Sequence, residues 1–182
     1  MLDELEIPDS SSEKIRTITD SESRYAIDLQ ANLQQALKNK ELTPKESAFI
    51  GLSVSVNDRS NAGIDVFTAL GKKHGATNDE ITEVYSCTSL LAMNNVFYKF
   101  RHMVDKEFYS KSPAGIKMSV VGKPVLGKEF FELLSLVVSA LNGCEQCIKS
   151  HENSILKHGC SEARVYQAIK SASVFRGLII LL

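Results

Sequence analysis

The chain has 182 residues, 43% of them hydrophobic and 24% charged, with a formal net charge of −1. That length suits one domain, or two fused halves sharing a core, and the charge gives no electrostatic case for nucleic acid, which needs a basic surplus. The acidic start Met1-Leu2-Asp3-Glu4 lacks the n-region of a secretory signal, and the most apolar run, Leu178 to Leu182, is far too short to span a bilayer.

Residues 1–22 read as a polar N-terminal extension. It carries Pro8 and the Ser10-Ser11-Ser12 run and is expected to lie over the surface or pair with another subunit. From about Ser23 to Lys40, Tyr25, Ile27, Leu29, Leu33 and Leu37 recur among good helix formers. Leu42-Thr43-Pro44 stops that pattern, and Thr43 before Pro44 reads as an N-cap with proline at the first helical position. A mostly apolar helix follows over Lys45 to Val56. Another runs from Ser60 to Lys73 and ends at His74-Gly75, with glycine as its C-cap. Thr77 caps a helix through Glu80, Ile81, Val84 and Tyr85, which continues or bends into Leu90 to Lys106. A loop over residues 112–127 is marked by Pro113, Gly115, Gly122, Pro124 and Gly127. Helices over 128–141, 144–158 and 162–179 close the chain. Met118 to Val121 is the one strand candidate. The class expected is all-α, with six to eight helices.

An internal repeat sharpens this expectation. The segment Ser60 to Ala76 can be laid on Cys144 to Cys160 without a gap at an offset of about 84 positions, and Lys-His-Gly with a small residue closes both. Ser60, Gly63 and Phe67 of the first copy stand where the second has Cys144, Cys147 and His151. Residues 23–182 are therefore read as one domain of two related halves, about 23–111 and 128–182, joined by a loop. One half carries the reactive set and the other keeps the scaffold.

That reactive set is Cys144-Glu145-Gln146-Cys147-Ile148-Lys149-Ser150-His151. Thiols three apart, with a histidine four beyond the second, share a helix face. Asn142-Gly143 reads as a break that starts the helix at or beside Cys144, where the dipole favours a thiolate. Glu132, an acid on the apolar side of the 128–141 helix, brings a carboxylate that could meet them. A chain without an export signal points to the cytoplasm, where such a dithiol is catalytic or metal-binding rather than a staple. Zinc is the duller alternative. It would need a fourth ligand, and His158 lies about 10 Å along the axis from His151.

The redox reading is thiol–disulfide exchange. His151 accepts a thiol proton, Glu132 orients the imidazole, and the second cysteine resolves a sulfenic acid into a disulfide. Dipole reasoning and expected exposure favour Cys144 as the attacking thiol; proximity to His151 favours Cys147. Cys87 and Cys160 read as small buried hydrophobes. His74 and His158 read as helix-end residues. The mixed stretch Asn94 to His102 reads as an interhelical or subunit contact before a substrate channel. No metal, flavin or nucleotide site is suggested.

Beyond the first twenty or so residues the chain resembles the alkyl hydroperoxidase D family, a branch of the carboxymuconolactone decarboxylase-like superfamily. Met93-Asn94-Asn95-Val96-Phe97-Tyr98, Phe131-Glu132-Leu133 and Asn142-Gly143-Cys144 through His151-Glu152 carry the likeness. The resemblance implies an internally duplicated helical fold and assembly as a homotrimer or a multiple of trimers. It implies a peroxidase acting on organic hydroperoxide, with no bound cofactor. Dihydrolipoamide on a lipoyl-bearing acyltransferase would be the reductant, and a peroxiredoxin the electron acceptor. Cys147 then corresponds to the nucleophile that forms the sulfenic acid, Cys144 to the proton donor and resolving partner, and Glu132 and His151 to the proton relay. Relatives with a second relay histidine between the cysteines differ from this chain, which has Gln146. Glutamine cannot change charge, and its position, about 200° from Cys144 on a helical wheel, implies an indirect role. A lactone decarboxylase from the same superfamily would not need the dithiol, so the cysteines argue against it.

Overall fold

The computed structural model describes Leu5, residues 12–21 and residues 23–182. Among them are nine α-helices and no strand: α1 (Glu13–Asp20), α2 (Arg24–Leu37), α3 (Pro44–Asn57), α4 (Asn61–Lys73), α5 (Asn78–Val104), α6 (Glu107–Lys111), α7 (Lys128–Leu141), α8 (Glu145–Lys157) and α9 (Glu162–Ile179). The strand candidate at 118–121 instead runs into a 3-10 turn, Ser119–Gly122. The two helices that the chain-order reading did not place are α1 and α6. The first was hidden in a polar stretch, and the buried residue of the helix is Ile15. Lys14 Nζ also donates to the carbonyl of Ile180 (2.6 Å), so α1 is tied to the C-terminal end of the same chain. Pro8, Ser10 and Ser11 lie outside the described residues.

Local chemistry accounts for the helix starts. Thr43 and Thr77 each form a reciprocal capping box, with Glu46 and Glu80 respectively, and Ser60 and Ser161 accept from the backbone of Gly63 and Arg164. Each cap satisfies N–H groups that have no partner inside the helix.

The starts of α3, α4 and α5 (44, 61 and 78) and of α7, α8 and α9 (128, 145 and 162) are each 84 residues apart. The first two helices of each triplet also match in length, at 14 and 13 residues. The lead helices form the centre of the molecule. Residues 47–55 of α3 and 130–139 of α7 are buried without interruption, the signature of a helix covered on all sides. The third helices cross over: α5 packs on α7 and α8, while α9 packs on α3.

The halves differ in what covers their third helices. In the first half α2 lies along α9, close enough that the Tyr25 hydroxyl is 3.5 Å from where a Cβ on Gly177 would be. Eighty-four residues on from α2, α6 makes little more than one turn before Pro113 and the 112–127 loop. A proline disfavours helical backbone at the residue before it. The outer stripe of α5 (Met93, Val96, Phe100 and Met103) is consequently exposed. The loop is pinned to the inner side of α5 by Glu83, whose carboxylate accepts from the backbone N–H of Val125 (2.8 Å) and Leu126 (2.6 Å).

Candidate active site

The turn between α7 and α8 puts the two thiols in place. Gly143 takes a left-handed conformation (φ 64°), which glycine adopts at no steric cost, and the N–H of Cys144 returns to the carbonyl of Ser139 (3.0 Å). A polar latch fastens this turn to α5. Asn95 Nδ2 donates to Ser139 Oγ (3.0 Å), Asn142 Nδ2 to Asn95 Oδ1 (3.0 Å), and Lys99 Nζ to the carbonyl of Asn142 (3.0 Å). Cys144 then caps α8, and its sulfur is bonded to that of Cys147.

The expectation that Cys144 is the more exposed thiol is overturned: it is fully buried, while Cys147 retains 7% exposure and lines a cavity. The tight turn tucks the N-cap residue beneath the chain, and the first helical turn swings Cys147 outward.

His151 follows one turn after Cys147. Its Nδ1 is 2.7 Å from Glu132 Oε2, and Lys128 Nζ lies 3.2 Å from the other carboxylate oxygen. Burial alone would raise the Glu132 carboxyl. The hydrogen bond and charge of His151, then those of Lys128, outweigh it and hold the group below its ordinary value. An ionised carboxylate only accepts, so the proton of His151 belongs on Nδ1 and Nε2 is left to take up another.

The cavity beside the disulfide has a volume of about 510 Å³. From α5 it is lined by Leu90, Leu91, Asn94 and Tyr98, from the loop by Met118 and Val121, from α7 by Phe131, Glu132 and Ser135, and from α8 by Gln146, Cys147, Ser150 and His151. All four sequence-derived site residues thus converge, three on the cavity wall and Cys144 behind it. Gln146 also lines that wall, although its wheel position points away from Cys144. The wheel fixes direction about one helix, whereas the cavity lies between α5, α7 and α8 and reaches round to a second face. Asn94 and Tyr98 are wall residues that sequence reasoning assigned first to helix contacts; the polar–aromatic mixture was the available signal, and Asn95 does make such a contact.

The equivalent space in the first half is filled. Phe67 stands where His151 does, and Phe175 where Leu91 does; their rings pack at 4.9 Å, both fully buried. Gly51 stands in the register of Ser135 and leaves the room that the Phe67 ring occupies.

The remaining candidates sit apart from this chemistry. Cys87 is buried with its Sγ 3.6 Å from Ser135 Oγ. Burial, and then the nearby carboxylates Glu83 and Glu132, push its thiol up to about 12 against the hydrogen bond from Ser135. Cys160 is pushed to about 11 by burial and then by Glu129. His74 and His158 occupy the C-cap positions of α4 and α8. Among the described residues no group of three or more His, Cys, Asp or Glu side chains is arranged to hold a metal ion, and no helix is long and apolar enough to cross a membrane.

Comparison with known proteins gives a family match and several relatives. The family model described as the carboxymuconolactone decarboxylase family matches residues 110–180, the part that contains α7, α8 and α9. A protein of Coxiella burnetii named alkyl hydroperoxide reductase AhpD is 35% identical over 169 residues, covering 90% of this chain and 94% of its own length. One of the same name from Anaeromyxobacter dehalogenans is 36% identical over 150 residues, covering 82% and 80%. Another, from an Anaeromyxobacter species, is 32% identical over 157 residues, covering 86% and 84%.

Proposed function

The chain belongs to the AhpD family of carboxymuconolactone decarboxylase-like proteins, and from that premise we propose that it is an alkyl hydroperoxide reductase working through its 144–147 dithiol. The observation that carries this reading is the Cys144–Cys147 disulfide, with Cys147 on the wall of a largely apolar cavity beside the His151–Glu132 pair. A cavity of about 510 Å³ has room for a small organic molecule, and its Leu, Phe, Val and Met lining suits an alkyl group.

In the reduced protein His151 Nε2 takes the proton of Cys147, while the Glu132 carboxylate stabilises the resulting imidazolium. The thiolate attacks the distal oxygen of the hydroperoxide. An S–O bond forms, the O–O bond breaks, and the departing alkoxide takes a proton to leave as alcohol. Cys144 then attacks the sulfenic sulfur of Cys147, a disulfide forms and water leaves. The dithiol supplies both electrons, and an external dithiol restores it. Dihydrolipoamide on a lipoyl-bearing acyltransferase is the proposed donor, and a peroxiredoxin is the proposed partner for onward transfer. Cys147 is the proposed nucleophile because it faces the cavity; Cys144, buried behind it, is the resolving thiol.

Two further elements of the reading have support of their own. The apolar stripe of α5, left uncovered where the first half has α2, supports assembly as a homotrimer or a multiple of trimers. Two unpaired thiols, Cys87 and Cys160, fit a reducing cytoplasm.

The test is anaerobic reduction followed by mixing with cumene hydroperoxide, with the state of the 144–147 pair read by alkylation and mass spectrometry. Stoichiometric disulfide formation, reversed by dihydrolipoamide and abolished in Cys147→Ser, is expected. A pair that stays reduced through a large excess of peroxide would reject the reading.

A further inference from the structure

Asn94 is an unusual wall residue. It is 7% exposed, on the inner face of α5 between Leu90 and Tyr98. Its amide nitrogen has only the thioether of Met118 as partner (3.0 Å), a weak acceptor. Its Oδ1 is buried with no partner at all. Exchanging the two ends of the amide does not help, because one end would still face sulfur and the other nothing.

A buried amide this poorly satisfied costs stability, and the fold does not require it. The repeat supplies the control. Leu178 occupies the equivalent position on α9, fully buried in the closed half. The same helix in the same register therefore packs well with an apolar side chain. Its neighbour Asn95, by contrast, is satisfied at both ends by Ser139 and Asn142. Of the two adjacent amides, one serves the fold and the other is held in reserve at the cavity.

We propose that Asn94 is a substrate-binding residue. Its amide oxygen accepts a hydrogen bond from the terminal O–H of the bound hydroperoxide and thereby presents the distal oxygen to Cys147. Every hydroperoxide, whatever its alkyl group, carries that O–H, and the alkyl part is left to the apolar wall. Asn94 neither gives nor takes a proton in the cycle. It selects for the –OOH head over peroxides that lack an O–H and over alcohols whose oxygen lies one bond too close. The inference rests on the proposed peroxide chemistry at the same site and deepens it.

The experiment compares wild type with Asn94→Leu, the side chain that the other half already accommodates, and with Asn94→Ala in case leucine displaces Met118. Two oxidants are used on the reduced proteins: tert-butyl hydroperoxide, and a dithiobis(nitrobenzoate) disulfide, which has no O–H to donate. The expected result is a fall of about tenfold or more in the second-order rate constant with hydroperoxide, the scale of one lost hydrogen bond. The rate with the aromatic disulfide and the redox potential of the 144–147 pair should be unmoved, and the melting temperature of Asn94→Leu unchanged or raised. An equal fall with both oxidants, or no fall with hydroperoxide, overturns the inference. If wild type itself is not oxidised by hydroperoxide, the proposed function fails first, and that outcome is distinguishable because it appears before any variant is made.

Discussion

Gly51→Ala tests why the space beside His151 is open while its counterpart in the first half is filled. A Cβ built on Gly51 would lie 2.2 Å from Cδ1 and Cε1 of Phe67 and 2.6 Å from its Cγ. Carbon atoms pack at about 3.5–4.0 Å, so the ring would have to withdraw by roughly 1.3 Å or more. It has no free direction, being fully buried and packed at a tilt against Phe175, with ring centroids 4.9 Å apart. Overpacking typically costs about 1–3 kcal/mol, and a methyl group driven into a ring belongs at the upper end, at about 3 kcal/mol. For a chain of this size that corresponds to a fall in melting temperature of roughly 6–12 °C. Calorimetry and urea unfolding of the oxidised protein would measure it. Phe67→Leu opens room for the methyl, so Gly51→Ala with Phe67→Leu should be less destabilised than the sum of the single changes, by about 1 kcal/mol or more. A Gly51→Ala protein within about 0.5 kcal/mol of wild type, or strict additivity in the pair, would refute the idea that Phe67 plugs the space its glycine leaves.

Glu132→Gln preserves shape but removes the charge facing His151. Peroxide oxidation of the dithiol should slow by roughly 10- to 100-fold, measured by quenched-flow alkylation; an unchanged rate would separate Glu132 from the proton relay. Acid should weaken the fold through the same group and through Glu46, whose carboxyl is raised by burial but held down overall by Arg164 and Thr43. Because both folded values are depressed, their stabilisation is complete above the unfolded value near 4.5. It is lost as pH falls below that and through the folded values. Urea midpoints between pH 7 and pH 3 should therefore stay level at first and then drop, and the drop should shrink in Glu132→Gln. Cys87 and Cys160, with thiols pushed to about 12 and 11, should resist iodoacetamide at pH 8 in the folded protein. Mass spectrometry that found them modified before unfolding would contradict their burial.

The sequence was sufficient for whatever depends on residues near one another along the chain. Thr43-Pro44, Thr77 with Glu80, and Ser161 fixed helix starts because capping is completed within three or four residues. The 84-residue offset was legible for a similar reason, since one cap, one helix and one Lys-His-Gly ending recur in order. Cys144, Cys147 and His151 also lie within two helical turns, so their shared face followed from helical geometry alone. Helix α1 escaped because it buries a single residue, Ile15, and its tie through Lys14 to the carbonyl of Ile180 spans 166 residues.

What the tertiary structure decided was everything that depends on how α5, α7 and α8 meet. Glu132 reaches His151 across two helices, Gln146 joins the wall from a second face, and Cys144 rather than Cys147 is the deeper thiol. No periodicity carries those relations, because each side chain's depth is set by the element packed over it. The same holds for the cavity. Two halves built to one register differ because Phe67 and Phe175 fill one space, while His151 and Leu91 leave the other open.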